Sequence, residues 1–241
     1  MTVTIVQSAF GTGSRPSLII NVAMTVDGKT DTFARHGAAI SSAGDMARVD
    51  QLRAECDAIM VGGHTLLGDD PRLTVKSAAR RAERVARGLP ENPTKVGIVT
   101  KAALRPDSRF LTTGPARRMI FTTKRTAEAQ LAMLRAAGAE VYLTEGVPVD
   151  LTEVLRVLAG AGVRHLLIEG GGTLNAALLA LGVVDEVRVY IAPMIVGGSH
   201  APTLAAGAGL ARDEAVALTL ESVERDADGG VTLRYFVESK Q

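Results

Sequence analysis

Val163-Arg-His-Leu-Leu-Ile-Glu-Gly-Gly-Gly-Thr-Leu-Asn-Ala-Ala-Leu-Leu179 is the stretch whose reading decides the fold. Its first part, 163–168, is apolar and of strand length. Gly170, Gly171 and Gly172 follow, and 173–181 has the composition of a helix. Residues without a Cβ let the main chain approach a ligand closely. A helix start adds unpaired N–H groups and the positive end of a dipole. A glycine triplet alone would serve a purely structural turn equally well. Its place between a strand and a helix favours a phosphate cradle, with Glu169 beside it.

Outward from this turn, strand-length apolar runs alternate with helical patterns. The other predicted strands are 18–24, 58–61, 95–100, 118–121, 140–143 and 186–192. Helices are predicted over 43–56, where Met46, Val49 and Cys56 fall near one face, and over 126–137. Leu151, Val154, Leu155 and Leu158 give a further helix by their i, i+3, i+4, i+7 spacing. Such alternation implies α/β architecture, a mostly parallel central sheet with helices on both faces. Two last strands, 218–223 and 231–237, flank the turn-rich 226–230 and read as an antiparallel C-terminal hairpin. Residues 1–16, with Gly11, Gly13 and Pro16, read as a flexible arm ahead of a single domain over 17–241. The irregular stretch 77–93 carries Arg80, Arg81, Arg84 and Arg87. It is either a solvated surface segment or a basic rim that attracts phosphorylated ligands.

The totals narrow the classes. In 241 residues, 46% hydrophobic and 22% charged, there is enough apolar material for a real core. A net charge of +1 argues against a general nucleic-acid or membrane-surface binder. The absence of Trp, with 3% aromatics, argues against base stacking. No apolar run approaches a membrane span and no secretory leader is evident, so a cytoplasmic protein is expected. Cys56 is the sole cysteine, which excludes an internal disulfide or a cysteine-rich zinc site. His36, His64, His165 and His200 have no metal-like spacing, and no metal is expected. His165 lies in an apolar strand and reads as core. No G-x-S-x-G elbow or P-loop lysine is present.

Three more clusters follow strands, where open α/β sheets bind ligands. Asn21 to Lys29 ends in an Asp27-Gly28 turn. Val61 to Thr74 contains Thr65, which can donate to a phosphate, and Asp69-Asp70, which could cap a helix or contribute to a metal site. Thr122-Thr123-Lys124-Arg125 is either a charged helix start or a grip for the 2′-phosphate of NADP.

Taken together, MTVDGK (24–29), LRAECDAIMVGGHTLLGDDPRLTVK (52–76) and LLIEGGGTLNAALL (166–179) resemble the pyrimidine reductases of riboflavin biosynthesis, over roughly residues 17–237. The resemblance implies the dihydrofolate-reductase-like fold. It also implies reduction of the ribosyl group of a ribosylaminopyrimidinone 5′-phosphate to ribityl by NADPH, with NADH possible, and a homodimer. The contact is expected at the apolar segment 187–194 and the hairpin. The zinc-deaminase motifs of the bifunctional members are absent, and Asn21 resembles the free-standing members, which act on the 2,5-diamino compound. Cofactor contacts are implied for Ala23, Thr65, Asp69, Thr100, Gly170, Gly171, Gly172, Thr173 and Leu174, with Thr122–Thr123 weaker candidates. Substrate contacts are implied for Asn21, Arg53, Leu73, Lys76 and Glu169. Gly37 and Ala39 replace larger residues of the bifunctional branch. Glu169 and Asp27 are the acids to watch as catalytic groups. A pterin reductase on the same fold and a non-catalytic NADP-binding protein are the alternatives.

Overall fold

The computed structural model describes residues 15–35 and 37–238, so most of the expected arm and His36 lie outside the described residues. Arg15, at the arm's end, is anchored: its guanidinium donates twice to the Asp185 carboxylate, at 2.7 Å each.

Among the described residues, nine strands form one sheet. They are β1 (Ser17–Thr25), β2 (Ala58–Gly62), β3 (Thr94–Ile98), β4 (Arg118–Thr123), β5 (Glu140–Thr144), β6 (His165–Ile168), β7 (Glu186–Ala192), β8 (Leu218–Arg225) and β9 (Val231–Val237). Their order is β5-β4-β3-β2-β6-β1-β7-β9-β8. Pairings from β5 to β7 are parallel; β7–β9 and β9–β8 are antiparallel. The mixed sheet with an antiparallel C-terminal end is therefore as expected.

The α-helices among the described residues are α1 (Ala43–Glu55), α2 (Ala78–Ala86), α3 (Arg109–Thr112), α4 (Glu128–Ala136), α5 (Leu151–Gly160) and α6 (Gly172–Ala180). Alternation along the central strands sorts them to two faces. Leu18, Ile20, Met60, Leu166 and Ile168 pack with Val154, Leu155 and Leu158 of α5 and Leu174 and Leu178 of α6. Ile59, Val61 and Leu167 face the opposite way, onto Leu52 of α1, Phe110 and Leu111 of α3 and Leu134 of α4. Strands covered on both sides must be apolar throughout, and β2 is buried along its whole length.

Four readings change. Met46 is exposed; α1 instead buries Asp45 and Asp50 with Leu52 and Ala54, because those carboxylates serve neighbouring polar groups. His165 is exposed at the start of β6, not core. The 77–93 stretch holds the surface helix α2, with Arg87 exposed, but Arg84 and Arg80 are held in place and do not form a free basic rim. Arg84 is buried, donating to the carbonyls of Ala54, Cys56 and Pro90. Arg80 pairs with Asp50 at 3.0 Å. Finally, β7 lies inside the sheet between β1 and β9, so it offers no edge to a partner. Among the described residues, no helix is long and apolar enough to cross a membrane.

Candidate active site

The glycine turn grows directly out of the sheet. Glu169 N–H donates to the Met60 carbonyl at 3.0 Å, and Gly62 N–H donates to the Gly170 carbonyl at 2.8 Å. The β2–β6 ladder thus runs into the triplet. Gly170 has φ +89°, in the left-handed region that favours glycine, and the Gly170–Gly171 peptide is cis. α6 begins at once, with Gly171 at its N-cap and no side chain capping its first amides. Leu174 N–H turns back to the Gly171 carbonyl at 2.9 Å, so the N–H groups of Gly172 and Thr173 are the ones available to an anion. A Cβ on Gly171 would stand 3.2 Å from Thr65 Oγ1, and one on Gly62 would stand 3.2 Å from Leu174 Cβ. Thr65, Leu174 and the triplet therefore share one neighbourhood.

Thr65 opens a π-helical turn, Thr65–Asp69. The two carboxylates beyond it part company. Asp70 accepts from the N–H groups of Arg109, at 2.7 Å, and Phe110, at 3.0 Å, and so caps α3. Asp69 makes no such cap. Desolvation, reinforced by the Asp31 carboxylate across the cleft, raises its pKa, with Arg109 opposing. Among the described residues, no group of three or more His, Cys, Asp or Glu could hold a metal ion.

Beside the cradle, Arg53 and Glu169 form a closed bidentate pair. Arg53 Nε donates to Glu169 Oε1 and Nη2 to Oε2, both at 2.7 Å, and the side chains are only 14% and 13% exposed. Arg53 Nη1 also donates to the Thr74 carbonyl at 3.1 Å. The next turn of the loop is stapled to α1 as well, since the Asp50 carboxylate accepts from the N–H groups of Lys76 and Ser77. Arg53 and the 73–76 loop are thereby gathered at one place. Leu73 is buried with φ +47°, a costly conformation for a leucine. The Lys76 side chain is exposed. Arg53 holds a carboxylate and a carbonyl rather than reaching out alone.

Ala23 packs beside Ile40, Tyr190 and Ala192. Asn21 lines a cavity of about 170 Å³ with Arg48, Arg188, Tyr190 and Arg234. Asp27 closes its own turn: Thr25 Oγ1 donates to it at 2.6 Å, and the N–H groups of Val196 and Gly197 donate at 3.2 and 2.7 Å. The Thr25 hydroxyl leads these donors in holding the Asp27 carboxyl down at about 2. A group so firmly ionised is suited to holding a loop, not to releasing a proton near neutrality.

Thr100 is half-buried, and its carbonyl accepts from Thr123 Oγ1 at 2.7 Å. Thr122 and Thr123 are fully buried, and Thr122 Oγ1 lies 2.6 Å from Thr126 Oγ1. These hydroxyls brace β4 rather than facing a ligand. Lys124 pairs with the exposed Glu145 at 3.0 Å.

Sequence reasoning passed over three contributors. Asp50 is one. The loop 194–207, which crosses from β7 to the cradle, is the second; Gly197, Gly198 and Pro202 mark it only as a turn-rich segment. Asn175, inside an apolar helix, is the third.

The family model of the RibD C-terminal domain matches residues 16–232. The chain belongs to this family. It is 45% identical over 196 residues to the 2,5-diamino-6-ribosylamino-4(3H)-pyrimidinone 5′-phosphate reductase of Methanothermobacter thermautotrophicus, covering 81% of this chain and 86% of the relative. To the protein of the same name from Archaeoglobus fulgidus it is 37% identical over 222 residues, covering 92% and 99%. Among solved structures, a pyrimidine reductase-like protein of Corynebacterium diphtheriae matches with a TM-score of 0.78 at 21% identity, covering 98% of both chains. The fold is the dihydrofolate-reductase-like fold of RibD C-terminal domains, as the sequence resemblance implied.

Proposed function

We propose that the chain is an NADPH-dependent reductase that converts the ribosyl group of the 2,5-diamino ribosylaminopyrimidinone 5′-phosphate to ribityl in riboflavin biosynthesis. The observation that carries this reading is the junction at Glu169. Glu169 of the Arg53–Glu169 pair is followed directly by Gly170 of the glycine cradle, so a polar substrate group and a dinucleotide phosphate fit within one side chain's reach. The relatives named as reductases of that diamino compound match 92% and 81% of the chain.

The cradle fits a dinucleotide: Gly170 needs its left-handed φ, and α6 begins without a capping side chain. In this reading Gly170, Gly171, Gly172, Thr173 and Leu174 hold the diphosphate. Thr65 and Asp69 flank it, Ala23 lines the nicotinamide side, and Thr100 stands toward the adenosine end. When bound, the cofactor supplies the hydride that reduces C1′ of the opened sugar. The protein's own work is placement of the reacting atoms. Arg53 fixes the Glu169 carboxylate so that it accepts from a substrate hydroxyl or amine in one orientation. Asn21 orients the substrate from β1, Leu73 walls the site, and Lys76 supplies a cation for the 5′-phosphate. Asp27 holds the β1 turn shut through Val196 and Gly197.

Two further elements belong to the proposal. The enzyme works in the cytoplasm, where a lone buried Cys56 stays reduced. It is a homodimer joined through β8 and β9, whose Leu218, Leu220, Val223 and Phe236 are exposed.

The test is NADPH consumption by the purified protein with the diamino compound, its deaminated counterpart and dihydrofolate in parallel. Turnover confined to the diamino compound is the expected outcome. Turnover of dihydrofolate alone makes the protein a pterin reductase, and tight NADPH binding without turnover of any of the three makes it a non-catalytic binder.

A further inference from the structure

The loop 194–207 is attached at both ends to parts of the site. At one end it meets the β1 turn: Val26 N–H donates to the Met194 carbonyl at 3.0 Å, and Thr30 N–H donates to the Pro202 carbonyl at 2.9 Å. At the other it lies on the first turn of α6. Ala206 N–H donates to the Gly172 carbonyl at 3.0 Å. A Cβ on Gly172 would overlap the Thr203 carbonyl oxygen and stand 3.2 Å from Ala206 N. The loop therefore forms a wall of the cradle, held at backbone contact distance.

One side chain fastens that wall. Asn175 is 1% exposed, and its Nδ2 donates to the Leu204 carbonyl at 2.8 Å. Its own N–H donates to the Gly171 carbonyl at 3.1 Å. Asn175 thus bridges the N-cap of α6 and the loop laid over it. Its other amide atom, Oδ1, is buried with no hydrogen-bond partner. A purely structural tie gains nothing from a buried acceptor without a donor. In an apolar helix, where Leu174 and Leu178 face the core, a leucine would fill the same space.

We infer that Asn175 is a positioning residue for the dinucleotide: it sets the distance between the 203–206 wall and the phosphate cradle, and so governs cofactor affinity without touching the pyrimidine substrate. This rests on the reading of Gly170–Leu174 as the cofactor cradle.

The experiment measures NADPH dissociation constants by fluorescence titration for the wild type, Asn175→Leu and Asn175→Asp, together with KM for the pyrimidine substrate at saturating NADPH. Asn175→Leu keeps the volume and removes both polar atoms. Asn175→Asp keeps an acceptor, loses the donor to Leu204 and adds a negative charge beside the phosphates. The expected result is NADPH binding about tenfold weaker in the leucine variant, the equivalent of one lost hydrogen bond. Weakening is larger in the aspartate variant and grows as salt is lowered. The substrate KM stays within about twofold of wild type, which a general loosening of the fold would not produce. If one variant fails to fold, the other carries the comparison. Unchanged NADPH affinity in a folded variant overturns the inference, as does a parallel rise in both constants. Wild-type protein that does not bind NADPH at all overturns the cradle reading, and the inference with it.

Discussion

Single residues carry the sharpest expectations. Replacing Glu169 with Gln keeps the shape of the site but leaves the Arg53 guanidinium, 14% exposed, without its counter-charge. Breaking a pair of this burial costs about 3 kcal/mol, so the urea midpoint should fall clearly along with turnover. A variant of wild-type stability would show the pair to be energetically idle. Asp27 gives the opposite expectation. Its carboxyl sits at about 2, so it is ionised at every pH the enzyme meets. The pH profile of kcat/KM between about pH 5 and 9 should keep its shape in Asp27→Asn even where its height falls. A limb that vanishes with this substitution would make Asp27 the titrating catalytic group. At this scale the sequence is legible where chemistry is local. The glycine triplet works through its immediate neighbours, and its place between strand and helix follows from the chain itself. Arg84 and Asn175 were opaque because the carbonyls they serve, at Ala54 and Leu204, lie about 30 residues away along the chain.

Among the elements, β3 and α3 are joined by an unusual peg. Lys95 is fully buried, and its ammonium donates to the carbonyls of Phe110 and Thr113 at 3.0 and 2.7 Å. Burial, with Arg118 adding to it, pushes the Lys95 pKa down to about 8. In the unfolded chain a lysine titrates near ~10.4. Between those values the unfolded state binds the extra proton, so stability rises with pH across that window and is flat below about 8. Lys95→Met should abolish the rise, as read from urea midpoints at about pH 7.5 and 9.5. An equal rise in both proteins would assign it to other groups. The same element shows why periodicity misleads at its margins. A lysine second in a strand reads as a solvated strand end, and nothing nearby announces that a four-residue helix will present two carbonyls to it. α1 fails for a related reason. Its apolar Met46 is exposed while Asp45 and Asp50 are buried, because Asp45 pairs with Arg48 on the same helix and Asp50 takes the 76–77 backbone and Arg80 from a segment far along the chain. Where burial is apolar, as in α5, spacing and structure agree.

For the whole molecule, the hairpin is the feature with an outside consequence. β8 is the sheet's edge and is exposed along nearly all its length, with Leu218, Leu220 and Val223 uncovered. Exposed apolar edges are commonly covered in the working assembly. The double variant Leu220→Asp/Val223→Asp should therefore elute at monomer mass in light-scattering chromatography where the parent elutes as a dimer. A parent that is itself monomeric would remove the dimer from the proposal. Strand number and class were legible from the alternation of patterns. The order of the strands was not, because pairing in a parallel sheet is decided by partners far apart in sequence.

That order has a consequence for how the protein is made. β1 is paired on one side with β6, Ser17 opposite His165, and on the other with β7, Ile19 opposite Glu186. β1, the first of the described strands, is thus seated only after β6 and β7 have been made. At about 10 residues per second, β1 waits roughly 15 s with both of its edges bare while the remaining chain is synthesised. A nascent chain of this kind depends on being shielded during that interval. A stalled or truncated product ending before β6 would be a sticky, partnerless fragment rather than a smaller domain.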